Sequence, residues 1–116
     1  TGAYSDQDPN NLGNDLKQID TYLKQKFPIL IIGTYKAETQ VVEGINYRFT
    51  YSQEQTSVSY EFTVWDRPWL DSRKITSIKK IVQTKNDEGK DVKKIKTFTP
   101  TGSDDQWTDK VNGLFE

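Results

Sequence analysis

The sequence predicts an α+β domain, one N-terminal helix packed against a curved antiparallel sheet. Three observations carry this. Leu12, Leu16, Ile19, Tyr22, Leu23 and Phe27 recur at steps of three and four, which is one stripe of a helix. Two later segments alternate instead: Tyr47, Phe49 and Tyr51 share one face of a strand, and Val58, Tyr60, Phe62 and Val64 share one face of the next. Polar residues between them point the other way, so the sheet is covered on one side only, and the amphipathic helix is its natural cover.

Taken in order, residues 1–10 are rich in Gly, Pro, Asn, Asp and Ser and read as a flexible acidic arm. The helix follows. Asn10, Asn11 or Asn14 is a candidate cap, Asp15 favours its positive end, and Gly13 weakens a first turn enough for the helix to begin after it. Pro28 stops it at Lys26 or Phe27. Residues 29–32 are continuously apolar and, with 34–40, read as a long strand that Gly33 bends around the helix.

A reversal follows at Gly44, then strands over 45–51 and 58–64 joined across 52–56. Pro68 marks a second reversal over 66–71, because it cannot donate to a ladder, and leaves Trp69 exposed beside it. Residues 74–84 are β-branched enough to favour a strand. Asn86-Asp87-Glu88-Gly89 is a turn signal, and Val92, Ile95 and Phe98 suit a hairpin partner. Residues 100–105 read as loop and 106–116 as a tail that Trp107, Val111, Leu114 and Phe115 pack down.

The 116 residues suffice for one domain, and a 12% aromatic share compensates for a lean 33% hydrophobic content. The net charge of −1 commits the protein as a whole neither to nucleic acid nor to a membrane. There is no Cys and no His, which excludes a disulfide scaffold, Cys-ligated zinc, thiol catalysis and His-activated nucleophiles. Neither metal nor cofactor is expected. No apolar run approaches the length of a membrane-spanning helix, about 20 residues, and no secretory signal is visible, although the sequence starts at Thr1 and a segment removed before it stays open. An enzyme would have to use carboxylates such as Asp104 with Asp105, or Glu54 with Glu61; neither pair has an informative spacing, so the expectation is that the protein is not an enzyme. Between Arg73 and Lys96 nine basic residues face three acidic ones, and no aromatic is present to stack a base; the run reads as a solvated edge hairpin.

Two valines, Val41 and Val42, stand beside the first reversal, where polar residues are usual. An apolar loop tip is a candidate contact surface. Gln40-Val41-Val42-Glu43-Gly44 resembles the Gln-X-Val-X-Gly motif of the cystatins, protein inhibitors of papain-like cysteine proteases. Gly2-Ala3-Tyr4-Ser5 resembles that family's glycine-led N-terminal trunk, with one glycine where many members have two. Val64-Trp65-Asp66-Arg67-Pro68-Trp69-Leu70 is similar to its second hairpin, in which the Pro-Trp pair rests on the protease rim.

The resemblance covers roughly residues 2–84. It implies that Gly2, Ala3, Gln40, Val41, Val42, Glu43, Gly44, Pro68 and Trp69 form a wedge that enters the active-site cleft of cathepsin-type proteases and excludes substrate reversibly. Trp69 and Val42 would be its central anchors. Glu43 departs from the small residue common there and is expected to tune affinity, since burying a lone carboxylate is costly. The resemblance assigns no role to residues 85–116. A monomer is expected, with a domain-swapped dimer as the related hazard. The missing Cys is associated with a cytoplasmic protein, with secreted and vacuolar or lysosomal compartments left open. The alternative is a non-inhibitory interaction or structural protein on the same fold.

Overall fold

A computed structural model describes residues 2–8, 10–31, 34–53 and 56–115. Six strands form one antiparallel sheet in chain order: β1 (Ser5–Gln7), β2 (Thr34–Val42), β3 (Gly44–Ser52), β4 (Val58–Arg67), β5 (Ser72–Lys85) and β6 (Asp91–Phe98). Helix α1 (Asn14–Lys26) lies between β1 and β2, and α2 (Asp104–Phe115) follows β6. Short 3-10 turns occupy Pro28–Ile31 and Pro68–Leu70. The α+β, cystatin-like architecture expected from the sequence is therefore present, with one helix more than expected.

Alternation places the core. Tyr47, Phe49 and Tyr51 of β3 meet Val64, Phe62 and Tyr60 of β4 in register, and all six are buried. Leu16, Ile19 and Leu23 of α1, with Phe27 just past its end, close over them. The Phe27 ring lies 5.1 Å from Phe62, so the helix axis is keyed to the middle of the sheet. On the edge of that contact the Tyr51 hydroxyl donates to Asp20 at 2.7 Å, which satisfies a polar tip that burial would otherwise orphan.

The helix begins at Asn14, as the weakening effect of Gly13 predicts. Its cap, however, is Gly13 itself with no side-chain hydrogen bond, so none of the three asparagines serves. Tyr22 leaves the apolar stripe: it is partly exposed, and its hydroxyl donates to the Asp104 carboxylate at the start of α2. Burial, and then that hydrogen bond, hold the phenol well above its usual range.

Three further expectations are corrected. The arm is not a loose terminus: β1 pairs with β2 from Ser5 opposite Thr39 to Gln7 opposite Ala37, and the Gln7 amide donates to the Thr39 hydroxyl at 3.2 Å. Residues 29–31 are a 3-10 turn, not strand. Proline is preorganised for the first position of a helical turn, and here it closes one that tucks Leu30 into the core. The bend assigned to Gly33, with Ile32 beside it, lies outside the described residues, as do Glu54 and Gln55 of the 52–56 connection.

The third correction is the tail. Residues 104–115 are a helix whose Trp107, Val111 and Phe115 are buried, while Leu114 stays partly exposed. Phe115 packs on Tyr60 at 4.4 Å between ring centres, and Trp107 packs on Phe27 and Phe98, each at 6.1 Å. Asn112 donates to the Lys26 carbonyl at 3.2 Å, and Lys26 donates to the Thr108 hydroxyl at 3.3 Å. The second helix thus caps the C-terminal end of the first.

Candidate functional site

The sheet brings the three candidate segments to one end. The β2–β3 reversal is as short as it can be: Val42 pairs with Gly44 and only Glu43 lies between. Gly44 has φ of +93°, and a Cβ there would lie 2.3 Å from the Asp66 carbonyl oxygen on the neighbouring strand β4. Glycine is required twice over, by conformation and by approach. The β4–β5 reversal is the Pro68–Leu70 turn, closed by the Asp71 amide donating to the Pro68 carbonyl at 3.0 Å. Asp71 itself adopts a left-handed conformation, which a short polar side chain tolerates.

Side chains tie these reversals to each other and to the N-terminal segment. The Gly2 amide donates to the Val41 carbonyl at 3.0 Å. The Gln40 side chain spans two elements: its Nε2 donates to the Gly2 carbonyl at 2.9 Å, and its Oε1 accepts from Asn46 Nδ2 at 3.1 Å. On the other side the Trp65 indole N–H donates to the Glu43 carbonyl at 2.9 Å. The Arg67 guanidinium lies 3.8 Å from the centre of the Trp65 ring, and its Nη2 reaches the Ser72 hydroxyl at 3.5 Å. One row across the outer face, Gln40, Asn46 and Trp65, therefore holds the Gly2 carbonyl on one side of the first tip and the Glu43 carbonyl at it.

The surface left by this bracing is apolar. Val41 is 68% exposed, Trp69 58% and Leu70 57%. Gly2, Ala3, Glu43 and Pro68 are also exposed, whereas Gln40, Val42 and Gly44 are half-buried. Val41, not Val42, is thus the more exposed of the two valines. Beneath the second turn Asp66 is buried and held by Arg73 at 3.4 Å, which in turn reaches Asp15 of α1 at 2.9 Å. The turn is anchored to the helix through two ion pairs that share Arg73.

The arm is anchored by charge as well. Arg48 forms a two-pronged pair with Glu38, at 2.9 and 2.7 Å, and the Tyr4 ring packs on the same guanidinium at 3.8 Å. The hydrogen bond from Arg48 holds the Glu38 carboxyl below its ordinary value of 4.5. A carboxylate depressed in the folded state stabilises it above the unfolded-state value, and that contribution is lost as pH falls through the folded-state value. Folding stability is therefore expected to drop as pH is lowered below 4.5, and Glu38→Gln should flatten this part of the drop. Urea titrations of both proteins across that range test it; parallel curves would remove Glu38 from the account.

Comparisons with known proteins bear on the family. Cysteine proteinase inhibitor 1 of Actinidia chinensis var. chinensis is 44% identical over 45 residues, covering 37% of this chain and 39% of that protein. Cysteine proteinase inhibitor 5 of Arabidopsis thaliana is 40% identical over 55 residues, covering 45% of this chain and 42% of that protein. Over part of its length the chain is similar to these two cysteine proteinase inhibitors. It spans about two-fifths of the length of these curated relatives. No family model and no solved structure matches it.

The sequence motifs mark the exposed tips, and the structure adds the residues behind them. Asn46, Trp65 and Arg67 were not among the expected site residues. One signal was available: Asn46 and Trp65 both fall on the outer, polar face of their strands, and a tryptophan there needs a reason. Leu70 was missed because it follows the recognised pair directly; its exposure matches that of Trp69.

Proposed function

We propose that the chain is a reversible, tight-binding inhibitor of papain-like cysteine proteases of the cathepsin type, acting as a monomer. The observation that carries this reading is the braced apolar edge: Gly2, the Val42–Gly44 reversal and the Pro68–Leu70 turn stand side by side, with Val41 and Trp69 exposed. The names of the two plant relatives support the target class.

The wedge works by shape. Val41 and Trp69 enter the groove as apolar anchors, Val42 packs behind the tip, and Glu43 presents a carboxylate that stays hydrated or meets a cation on the rim. Gly2 fits a role at the contact itself. A Cβ there would meet nothing closer than 4.0 Å within the protein, so the fold does not require glycine at this position. Close approach of the partner's backbone does. A site held in place before binding loses little ordering entropy, so an interface of ordinary size, about 1,600 Å² in total, suffices for tight binding.

The experiment is a titration of papain and one cathepsin at fixed enzyme concentration, with wild type and Trp69→Ala. Wild type is expected to remove activity stoichiometrically and reversibly. Trp69→Ala should weaken inhibition roughly thirtyfold, as for an interface hot spot of about 2 kcal/mol, with an unchanged melting temperature because the side chain is mostly exposed. Full protease activity in the presence of folded wild-type protein would sink the proposal.

A further inference from the structure

The far end of the sheet is built differently from the wedge. β5 starts beside the Pro68–Leu70 turn and runs 14 residues away from it, a span of about 45 Å at strand rise. Its partner β6 pairs only with the distal part, from Lys85 opposite Asp91 to Ile78 opposite Phe98. No strand among the described residues covers the other side of β6. Five consecutive residues, 93–97, are exposed on it.

This edge concentrates positive charge. Residues 73–96 hold nine basic and three acidic side chains, while the rest of the chain holds seven basic and fourteen acidic. Lys79, Lys85 and Lys90 have carboxylate neighbours. Lys93, Lys94 and Lys96 are not ion-paired among the described residues. Lys96 also stands directly opposite Lys80 across the hairpin, a like-charge pairing that costs stability unless an anion joins it. Lys80 turns to the Leu114 carbonyl at 3.3 Å, which leaves Lys96 with no such outlet.

We propose that the β6 edge receives an extended acidic segment of a partner protein as a seventh strand. A bare edge offers main-chain hydrogen bonds along its length, and the flanking lysines select a strand that carries carboxylates. The alternatives fit less well. A second copy would bring lysine against lysine, which is how such edges resist self-association. An anionic membrane is flat, whereas Lys93 and the pair Lys94 and Lys96 point to opposite faces of the strand. A nucleic acid finds no aromatic side chain between residues 73 and 96 to stack its bases. The occupant sits at the end of the sheet remote from the wedge, so both surfaces can be filled together, and the inference does not rest on protease inhibition.

The test is direct binding, by fluorescence anisotropy, of a labelled eight-residue peptide of alternating glutamate and threonine to the whole chain. A second peptide of the same sequence carries methyl groups on two adjacent central peptide nitrogens, which blocks strand pairing along both of its edges and keeps its charge. The first peptide should bind one to one. The methylated peptide should bind about tenfold more weakly, and so should the first peptide to the Lys93→Ser, Lys94→Ser, Lys96→Ser protein, in line with a few exposed charge contacts of modest individual strength. Equal binding of the two peptides would replace the strand with a generic polyanion surface. Tighter capture by a sulfated polysaccharide or by anionic vesicles would overturn it in favour of those partners, and no binding at millimolar peptide would end it.

Discussion

Trp107→Ala is expected to lower folding stability by about 3–5 kcal/mol, the range for removing a large aromatic from a packed core. Trp107 is 3% exposed and lies against both Phe27 and Phe98. It is the residue through which α2 meets the end of α1 and the last strand at once. Losing it leaves a cavity that the sheet cannot collapse into, since Phe27 is fixed from its other side by Phe62. Domains of this size are typically stable by only about 5–15 kcal/mol, so the variant should approach the limit of cooperative folding. The indole N–H of Trp107 is buried with no acceptor among the described residues. Trp107→Phe should therefore cost much less, under about 1.5 kcal/mol, as the ring is largely kept and an unsatisfied donor is removed. Urea unfolding of the three proteins separates the cases. A loss below about 1 kcal/mol for the alanine variant would mean that α2 is not part of the core in solution.

Gly44→Ala should be the most damaging single change at the wedge. The methyl group would sit 2.3 Å from the Asp66 carbonyl and 3.1 Å from Arg67 Cγ. Arg67 can adjust. The Asp66 backbone cannot easily do so, because it is paired with Ile45 and its side chain is held by Arg73. Together with the cost of a left-handed φ for a residue with a Cβ, about 1–2 kcal/mol, the clash should bring the total to about 2–4 kcal/mol. Gly89→Ala supplies the comparison: its φ is +76° but open space surrounds it, so only the conformational part applies. The difference in melting temperature between the two variants measures the clash alone. If the proposed inhibition holds, the displaced tip should weaken it roughly a hundredfold through lost preorganisation, while Gly89→Ala leaves it unchanged. Equal stabilities for the two variants would remove the close contact with β4 from the account.

What could be read from the sequence follows from how strongly burial constrains it. A sheet covered on one face imposes a two-residue period, and Tyr47 to Tyr51 and Tyr60 to Val64 display it without exception. Helix α1 was legible for the same reason at its own period. α2 was not, although Trp107, Val111 and Phe115 are spaced by four, because three apolar residues at the end of a polar segment fit a packed tail equally well. Residues 29–31 misled because β-branching argues for a strand locally while Pro28 and the demands of packing Leu30 argue for a turn. The tips of the candidate site could be located from Gly44 and Pro68. Their bracing could not: the Gln40 bridge to Gly2 and Asn46 exists only once the register of β2 against β3 is fixed.

The sheet is a simple meander in which every strand lies beside its sequence neighbours, and such local pairing favours rapid zippering of hairpins. The helices do not share that property. Phe27 and Phe115 pack at 5.7 Å between ring centres although about three quarters of the chain separates them. During synthesis, then, α1 and the sheet must wait with the ring of Phe27 partly uncovered until the final turn of α2 arrives. A nascent chain paused after β6 would expose Phe27, Tyr60 and Phe62 together, a sticky intermediate of the kind that chaperones engage.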